Sequence, residues 1–255
     1  MRIAPALAGL LATLYLGLGF GLGLGSLGPS ASAQEARESA MANAPELPPA
    51  PEGSLNGYVL RTLQRYPLNG SYGYHWPKPG SDPWEGTTEA IVYAGRQLTK
   101  GDPKKRSYCC GLTFEVYVKA LLAASGGEPV PGISADLLHE LRLRFFGDSQ
   151  QVRERKRLLQ FGIESLKLGR SIKDLADARA GDFVQFWRHS GSGHSAIFVN
   201  WVVRKGKRVG MTYWSTQSST QGIGYNTERI GPDAVDAKQI YLARAAWPVE
   251  LGARK

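Results

Sequence analysis

The sequence predicts an α+β domain in which N-terminal helices pack on a short antiparallel β-sheet. Three observations carry that reading. Apolar residues recur at helical spacing from Leu55 to about position 161, and from Ile172 onward they give way to short β-branched and aromatic runs bounded by turn residues. Helices come first and strands second, with a tight basic turn between two of the strands, so the sheet is antiparallel and the helices cover one side of it.

The elements justify themselves in chain order. From Ile3 to Gly25 there is no charge, Arg2 precedes the run, and Ala31-Ser32-Ala33 follows it as a small-x-small processing pattern. Residues 1–33 therefore read as a secretory signal peptide cut after Ala33. The competing reading is an uncleaved anchor; the seven glycines between Gly9 and Gly28 weaken it, because they make a poor spanning helix. Residues 34–54, rich in Ala, Glu and Pro without apolar periodicity, read as a disordered tether.

The folded domain is expected over 55–250. Leu55, Val59, Leu60, Leu63 and Tyr66 mark a first helix, closed by Pro67-Leu68-Asn69-Gly70. A loop through His75, Trp76, Pro77 and Pro83 leads to a second helical pattern over 86–99, on Ala90, Ile91 and Ala94. Leu112, Val116, Val118, Leu121 and Leu122 then mark an apolar helix that opens on Cys109 and Cys110. After the Gly126–Gly132 break, Leu137, Leu138, Leu141, Phe145 and Phe146 mark another helix, and 149–161 a charged one. Strands are expected at Phe183–Trp187, Ala196–Val203, Val209–Trp214 and Ile240–Ala246, with Arg204-Lys205-Gly206-Lys207 as the hairpin turn. The insertion at 126–170 either shapes a substrate groove or caps it. No internal repeat is visible.

Composition narrows the function. With 42% hydrophobic and 10% aromatic residues the chain is neither collagen-like nor a coiled coil nor wholly disordered. The net charge of +9 hardly changes when residues 1–33 leave, since they hold one arginine and no acid. A basic exported domain suits anionic envelope polymers, and no recognisable nucleic-acid module argues for that partner instead. The two cysteines are adjacent and cannot staple distant parts of the fold; a ring between neighbours is strained and easily reduced. Cysteine here is chemical rather than architectural.

A nucleophilic thiol gains acidity from the free amides of a helix N-terminus and from a neighbouring imidazole. Cys109 and Cys110 open such a helix. His194 follows the flexible Ser190-Gly191-Ser192-Gly193 and begins a strand, where a base can face a helix end across a cleft. His189 competes with it; His75 lies in a loop and His139 in a helix. On residue types alone, ordinary packing stands beside Cys/His catalysis as the alternative. Metal ligation lacks paired ligands at zinc spacings, and no cofactor is implied.

The segment Tyr108-Cys109-Cys110-Gly111-Leu112-Thr113-Phe114-Glu115-Val116-Tyr117 resembles the Asp-Cys-Ser-Gly-Leu-Val-x-x-Val-Tyr segment of NlpC-type cell-wall cysteine peptidases, relatives of the CHAP amidases in the papain-like superfamily. Leu175-Ala176-Asp177-Ala178-Arg179-Ala180-Gly181-Asp182-Phe183-Val184-Gln185-Phe186 is similar to their Leu-x-x-Gly-Asp-Leu-Val-x-Phe lead-in, and Gly193-His194-Ser195-Ala196-Ile197-Phe198-Val199 to their His-Val-Gly-Ile-Tyr-Val strand. The resemblance spans roughly 85–250 and implies a papain-like fold. Anchored on Gly111 and Val116-Tyr117, it puts Cys109 at the nucleophile position and Cys110 where the family has Ser; Tyr108 departs from the usual Asp.

In the family a third residue on the next strand orients the imidazole. That strand here offers no His, Asp or Glu between Met211 and Gln217, which leaves Gln217 first and Ser215 second. The implied activity is hydrolysis of an amide bond in peptidoglycan stem peptides by a secreted or periplasmic monomer, with no stable membrane span once the signal is cut. The alternatives are a non-catalytic wall- or partner-binding module and an amidase or acyltransferase acting on a non-wall substrate. Asp182 reads as a turn residue at strand entry, and Trp187, Trp201 and Trp214 as sheet packing or groove lining. The basic residues at 104–106, 152–157 and 204–208 read as solvated faces, the first also placed to favour thiolate.

Overall fold

The computed structural model describes residues 45–49, 55–77, 84–146 and 156–252. The expected signal peptide at 1–33 and most of the tether at 34–54 lie outside them; residues 45–49 carry no helix or strand. The chain is α+β. Helix α1 (Leu55–Leu63) is followed by a small hairpin, β1 (Ile91–Tyr93) and β2 (Arg96–Thr99), and by the long helix α2 (Cys109–Ala124). Helices α3 (Ala135–Phe146) and α4 (Leu158–Ser165) precede the strands β3 (Gly169–Ile172), β4 (Phe183–Arg188), β5 (Gly193–Arg204), β6 (Lys207–Gln217), β7 (Gly222–Arg229) and β8 (Val235–Ala245), and α5 (Pro248–Gly252) closes the described chain. The six later strands form one antiparallel sheet in the order β3-β8-β4-β5-β6-β7.

Alternation along the strands divides the apolar residues between two cores. Phe183, Ile197, Trp214 and Ala243 face the helices and join Leu112, Val116, Leu121, Leu138 and Phe145. Val184, Phe186, Ala196, Phe198, Met211 and Tyr213 point to the opposite face, where Leu175, Trp201 and Ile230 pack against them. Helix α2 lies at the centre of the first core; Gly111 to Val118 is buried without a break. A helix apolar all round is one enclosed by the rest of the domain.

Four expectations change. The segment 86–99 is a hairpin rather than a helix: Ile91-Val92-Tyr93 pairs with Arg96–Thr99 across Ala94 and Gly95, both at positive φ (49° and 75°). A short window of apolar residues cannot separate the two periods, and the β-branched pair with the glycine decided the outcome. The expected helix at 149–161 is α4, which begins only at Leu158; positions 149–155 lie outside the described residues. Strands β3 and β7 were not foreseen. β7 (Gly-Ile-Gly-Tyr-Asn-Thr-Glu-Arg) looks like a polar loop, yet it pairs with β6 along its whole length. Finally, the 126–170 insertion is no appendage: Leu138, Leu141, Phe145, Leu159 and Ile163 belong to the helix-side core.

Asp182 is more than a turn residue. Its buried carboxylate accepts from Asn56 Nδ2 of α1 (2.9 Å), from the Arg179 amide (2.8 Å) and from Arg244 Nε and Nη2 of β8 (2.7 and 2.8 Å). It ties the first helix to the sheet where β4 begins.

Candidate active site

Cys109 is the first residue of α2. The preceding Tyr108 is extended (φ −128°, ψ 163°) and its side chain makes no capping bond; its carbonyl accepts from Leu112 N–H at 2.9 Å. The amides of Cys109, Cys110 and Gly111 therefore have no acceptor within the helix, and the positive end of its dipole lies at the two thiols. Gly111 is required for a steric reason. A Cβ there would stand 2.4 Å from the carbonyl oxygens of Glu85 and Gly86, whose strand of chain crosses directly over the first helical turn. The Tyr108 ring is wedged among Trp76, Trp84 and Phe146, with centroids 4.9 to 5.6 Å away, and its hydroxyl donates to the Trp84 carbonyl (3.1 Å).

His194, the second residue of β5, pairs with Phe186 of β4. The residue is only 8% exposed, and its ring lies between Phe186 and Tyr213, at centroid distances of 5.6 and 5.5 Å. The structure brings this imidazole and the half-buried Cys109 together. The Cys109 thiol is held well below the ordinary thiol range: a hydrogen bond from Cys110 stabilises the thiolate first, burial opposes it, and then the His194 charge and hydrogen bond and the Ser195 amide add to the stabilisation. Cys110 moves the other way. Its proton is committed to the Cys109 sulfur, and burial and the neighbouring negative charge push it well above the usual range. The arrangement sorts the two cysteines chemically, with Cys109 as the thiolate and Cys110 as the protonated donor.

Tyr74 joins them unannounced by the sequence. Burial raises its phenol first, and the electrostatic influence of the neighbouring cysteines adds to the shift. Its loop is fixed to the residue before Tyr108 by the Tyr74–Ser107 bridge and by His75 N–H donating to the Ser107 carbonyl (2.9 Å).

The two residues expected to orient the imidazole stand close by but do not bond it. Ser215 Oγ donates to the Ser195 carbonyl (2.8 Å), holding the backbone whose amide faces the Cys109 sulfur. Gln217 Oε1 lies 2.9 Å from the Tyr213 hydroxyl, and its Nε2 donates to Ser219 (2.8 Å). Nε2 of His194 is buried and has no hydrogen-bond partner among the described residues. What lies beyond Tyr213 is a group that sequence reasoning missed, Glu228 on β7. Tyr213 Oη donates to Glu228 Oε1 at 2.5 Å, and Arg188 of β4 closes on the same carboxylate through Nε (2.7 Å) and a second N–H. No sequence signal pointed to it, because β7 itself looked like a loop.

The remaining candidates have other partners. His189 sits near Asp236, His75 against Trp84, and His139 on α3 beside Arg142 and Arg96. Arg106 is paired with Asp102 and Lys105 with Glu89, so the charges of these two residues are committed elsewhere rather than left to bias the thiol. Trp214 is core; Trp187 and Trp201 bond through Nε1 to the Lys156 and Leu175 carbonyls. Among the described residues no cluster of His, Cys, Asp or Glu could hold a metal ion, and no helix is long and apolar enough to cross a membrane. A cavity of about 470 Å³ lies by Tyr66, Tyr72, Glu89 and Lys119, toward the far end of α2, and Cys109 does not line it.

Comparison with family models, with curated proteins and with solved structures finds no match to this chain.

Proposed function

We propose that the protein is an exported cysteine hydrolase of NlpC-like, papain-like type, which cleaves an amide bond in the stem peptides of peptidoglycan. One observation carries the reading: a thiol at a helix N-terminus held well below its ordinary range with an imidazole and a backbone amide against it. In the proposed reaction the Cys109 thiolate attacks the scissile carbonyl carbon, and the tetrahedral oxyanion meets the free amides at the start of α2. His194, as imidazolium, gives its proton to the departing amine as the C–N bond breaks. Water then attacks the thioester, losing its proton to His194, and Cys109 leaves as thiolate. The basic charge of the chain suits an anionic wall polymer.

A second reading is favoured by the imidazole Nε2 that bonds nothing: the scaffold as a wall-binding module without turnover. One experiment separates them. Purified cell walls are incubated with the parent protein and with Cys109→Ala. The hydrolase releases peptide fragments and the variant, with unchanged circular dichroism, releases none. Equal release by both removes Cys109 from the chemistry; wall binding without release by either establishes the binding module.

A further inference from the structure

Away from the thiols, one cavity is braced from inside the core. It measures about 470 Å³, in the range that holds small ligands, and Lys119 on its wall lies about 15 Å along α2 from Cys109 at the helical rise. Glu115 is fully buried on α2. Its carboxylate accepts from the Tyr66 hydroxyl (2.7 Å), from the Thr88 amide (2.6 Å) and from Lys119 Nζ one helical turn on (2.6 Å). Lys119 gives its other two protons to Glu89 Oε1 (2.6 Å) and to the Tyr66 oxygen (3.2 Å), and its ammonium lies 4.8 Å from the centre of the Tyr66 ring. All three of its donors are committed, and the face of Tyr66 is covered. Tyr72 meets Tyr66 edge to face, with centroids 6.3 Å apart and planes at 84°, and is the half-buried, open ring of the pair. Its backbone is pinned as well, because its carbonyl accepts from Ile223 N–H at 3.1 Å. A surface lysine ordinarily keeps its head in water; here a buried carboxylate and a phenol hold it against a fixed wall.

The capacity left over defines the ligand. Arg65, exposed and just past α1, lines the cavity and makes no hydrogen bond or ion pair among the described residues. Glu89 is 44% exposed; it bonds Lys119 through one oxygen and meets Lys105 only at 3.5 Å, so its carboxylate has acceptor sites to spare. The last turn of α2, with Leu122 and Ala123 on the wall, adds the negative end of the helix dipole. A ligand with several anionic groups is repelled by Glu89 and the helix end. An apolar acid leaves Glu89 without a donor, and a neutral ligand leaves the guanidinium without a partner. The ligand that fits carries one carboxylate for Arg65, hydroxyl donors for Glu89 and a flat C–H face for Tyr72. A six-membered sugar ring bearing a carboxylate has all three, and the net charge of +9 favours an acidic glycan over a neutral one.

We propose that this cavity is a binding site for an acidic sugar, a pyranose whose C–H face lies on Tyr72, whose hydroxyls bond Glu89 and whose carboxylate pairs with Arg65. The site is separate from Cys109 and does not depend on the hydrolase reading.

The test is saturation-transfer NMR on the full chain with methyl glucuronide and methyl glucoside, which differ only in carboxylate against hydroxymethyl. The glucuronide is expected to bind about tenfold more tightly, as one charge-assisted contact allows. Arg65→Gln, at an exposed position, brings the glucuronide to the level of the glucoside and leaves the glucoside unchanged. Tyr72→Ala weakens both sugars, whereas Tyr72→Phe, which keeps the ring, does not; where the alanine variant fails to fold by circular dichroism, the Arg65 comparison decides alone. Equal affinity for the two sugars, equal loss of both in Arg65→Gln, or no transfer to either overturns the proposal. Tighter binding of N-acetyl-leucine than of the glucuronide overturns it too, and gives the cavity to the acid end of a peptide. Cys109→Ala must bind both sugars as the parent does, so a chain that never cleaves walls still tests the site.

Discussion

Replacing Asp182 with alanine removes one carboxylate and leaves three donors behind. The Asp182 side chain is fully buried and that of Arg244 is 16% exposed. Without its partner the guanidinium keeps only the Asp177 carbonyl, at 2.7 Å from Nη2. Asn56 Nδ2 keeps the Ala180 carbonyl (2.9 Å) but loses its carboxylate contact, and the Arg179 amide loses its acceptor. Breaking a buried pair on one side typically costs about 3–5 kcal/mol, because the remaining charge stays desolvated. For a domain of this size each kcal/mol lowers the melting temperature by roughly 2–4 °C, so a drop on the order of 10 °C is expected. The assay is urea unfolding followed by far-ultraviolet circular dichroism, with the thermal midpoint as a second reading. The double variant D182L/R244M, which removes both charges and fills the space, should be less destabilised than D182A alone. An Asp182→Ala protein within about 1 kcal/mol of the parent would refute the argument that this carboxylate clamps α1 and β8 to the sheet. The clamp matters for the site. Gly181 N–H donates to the Phe198 carbonyl (2.9 Å) and Phe198 N–H to the Asp182 carbonyl (2.8 Å), which starts the β4–β5 register that sets His194 opposite Phe186.

Cys110→Ala removes the thiol that donates to Cys109, so Cys109 alkylation at neutral and acidic pH should slow, while Cys110→Ser, which keeps a donor, should not; an unchanged alanine profile would show that His194 and Ser195 suffice. In the parent, the depressed Cys109 and the raised Cys110 mean that labelling begins at Cys109 at a pH below the ordinary thiol range and reaches Cys110 only well above it, a sequence that peptide mapping reads directly. Gly111→Ala forces a methyl against the Glu85 and Gly86 backbone, and a loss of about 1–3 kcal/mol is expected together with slower Cys109 alkylation, measured by denaturation and by the same labelling; a stable, fully reactive variant would mean that the crossing chain yields freely.

The order of elements was open to reading because its causes are local. Apolar spacing from Leu112 to Leu122 makes a buried helix wherever it is placed, and Lys205-Gly206, both at positive φ, turn β5 into β6 by their own conformational preference. The pairing of Cys109 with His194 was legible as an expectation for the same reason, as a thiol at a helix start and an imidazole at a strand start. The hairpin at 91–99 was misread because three or four residues carry too little periodicity to distinguish a strand from a helical turn.

By itself, then, the sequence determined the α+β succession, the helix that bears the cysteines and the strand that bears His194. Tertiary structure decided the rest of the site. β7 holds two glycines and four polar or charged residues, and only its ladder with β6 makes it a strand, so nothing local marked Glu228 as the partner of Tyr213 and Arg188. That neither Gln217 nor Ser215 bonds the imidazole depended on which partners each met once the sheet had closed. The same holds for the cysteines: neighbours in sequence with identical side chains, they shift in opposite directions because Cys110 donates to the Cys109 sulfur and because His194 and the Ser195 amide, from a strand far along the chain, reach that sulfur as well. Secondary structure follows from short-range sterics and spacing, whereas the acidity of a buried group is set by whatever charges and dipoles the fold brings to within a few ångströms of it.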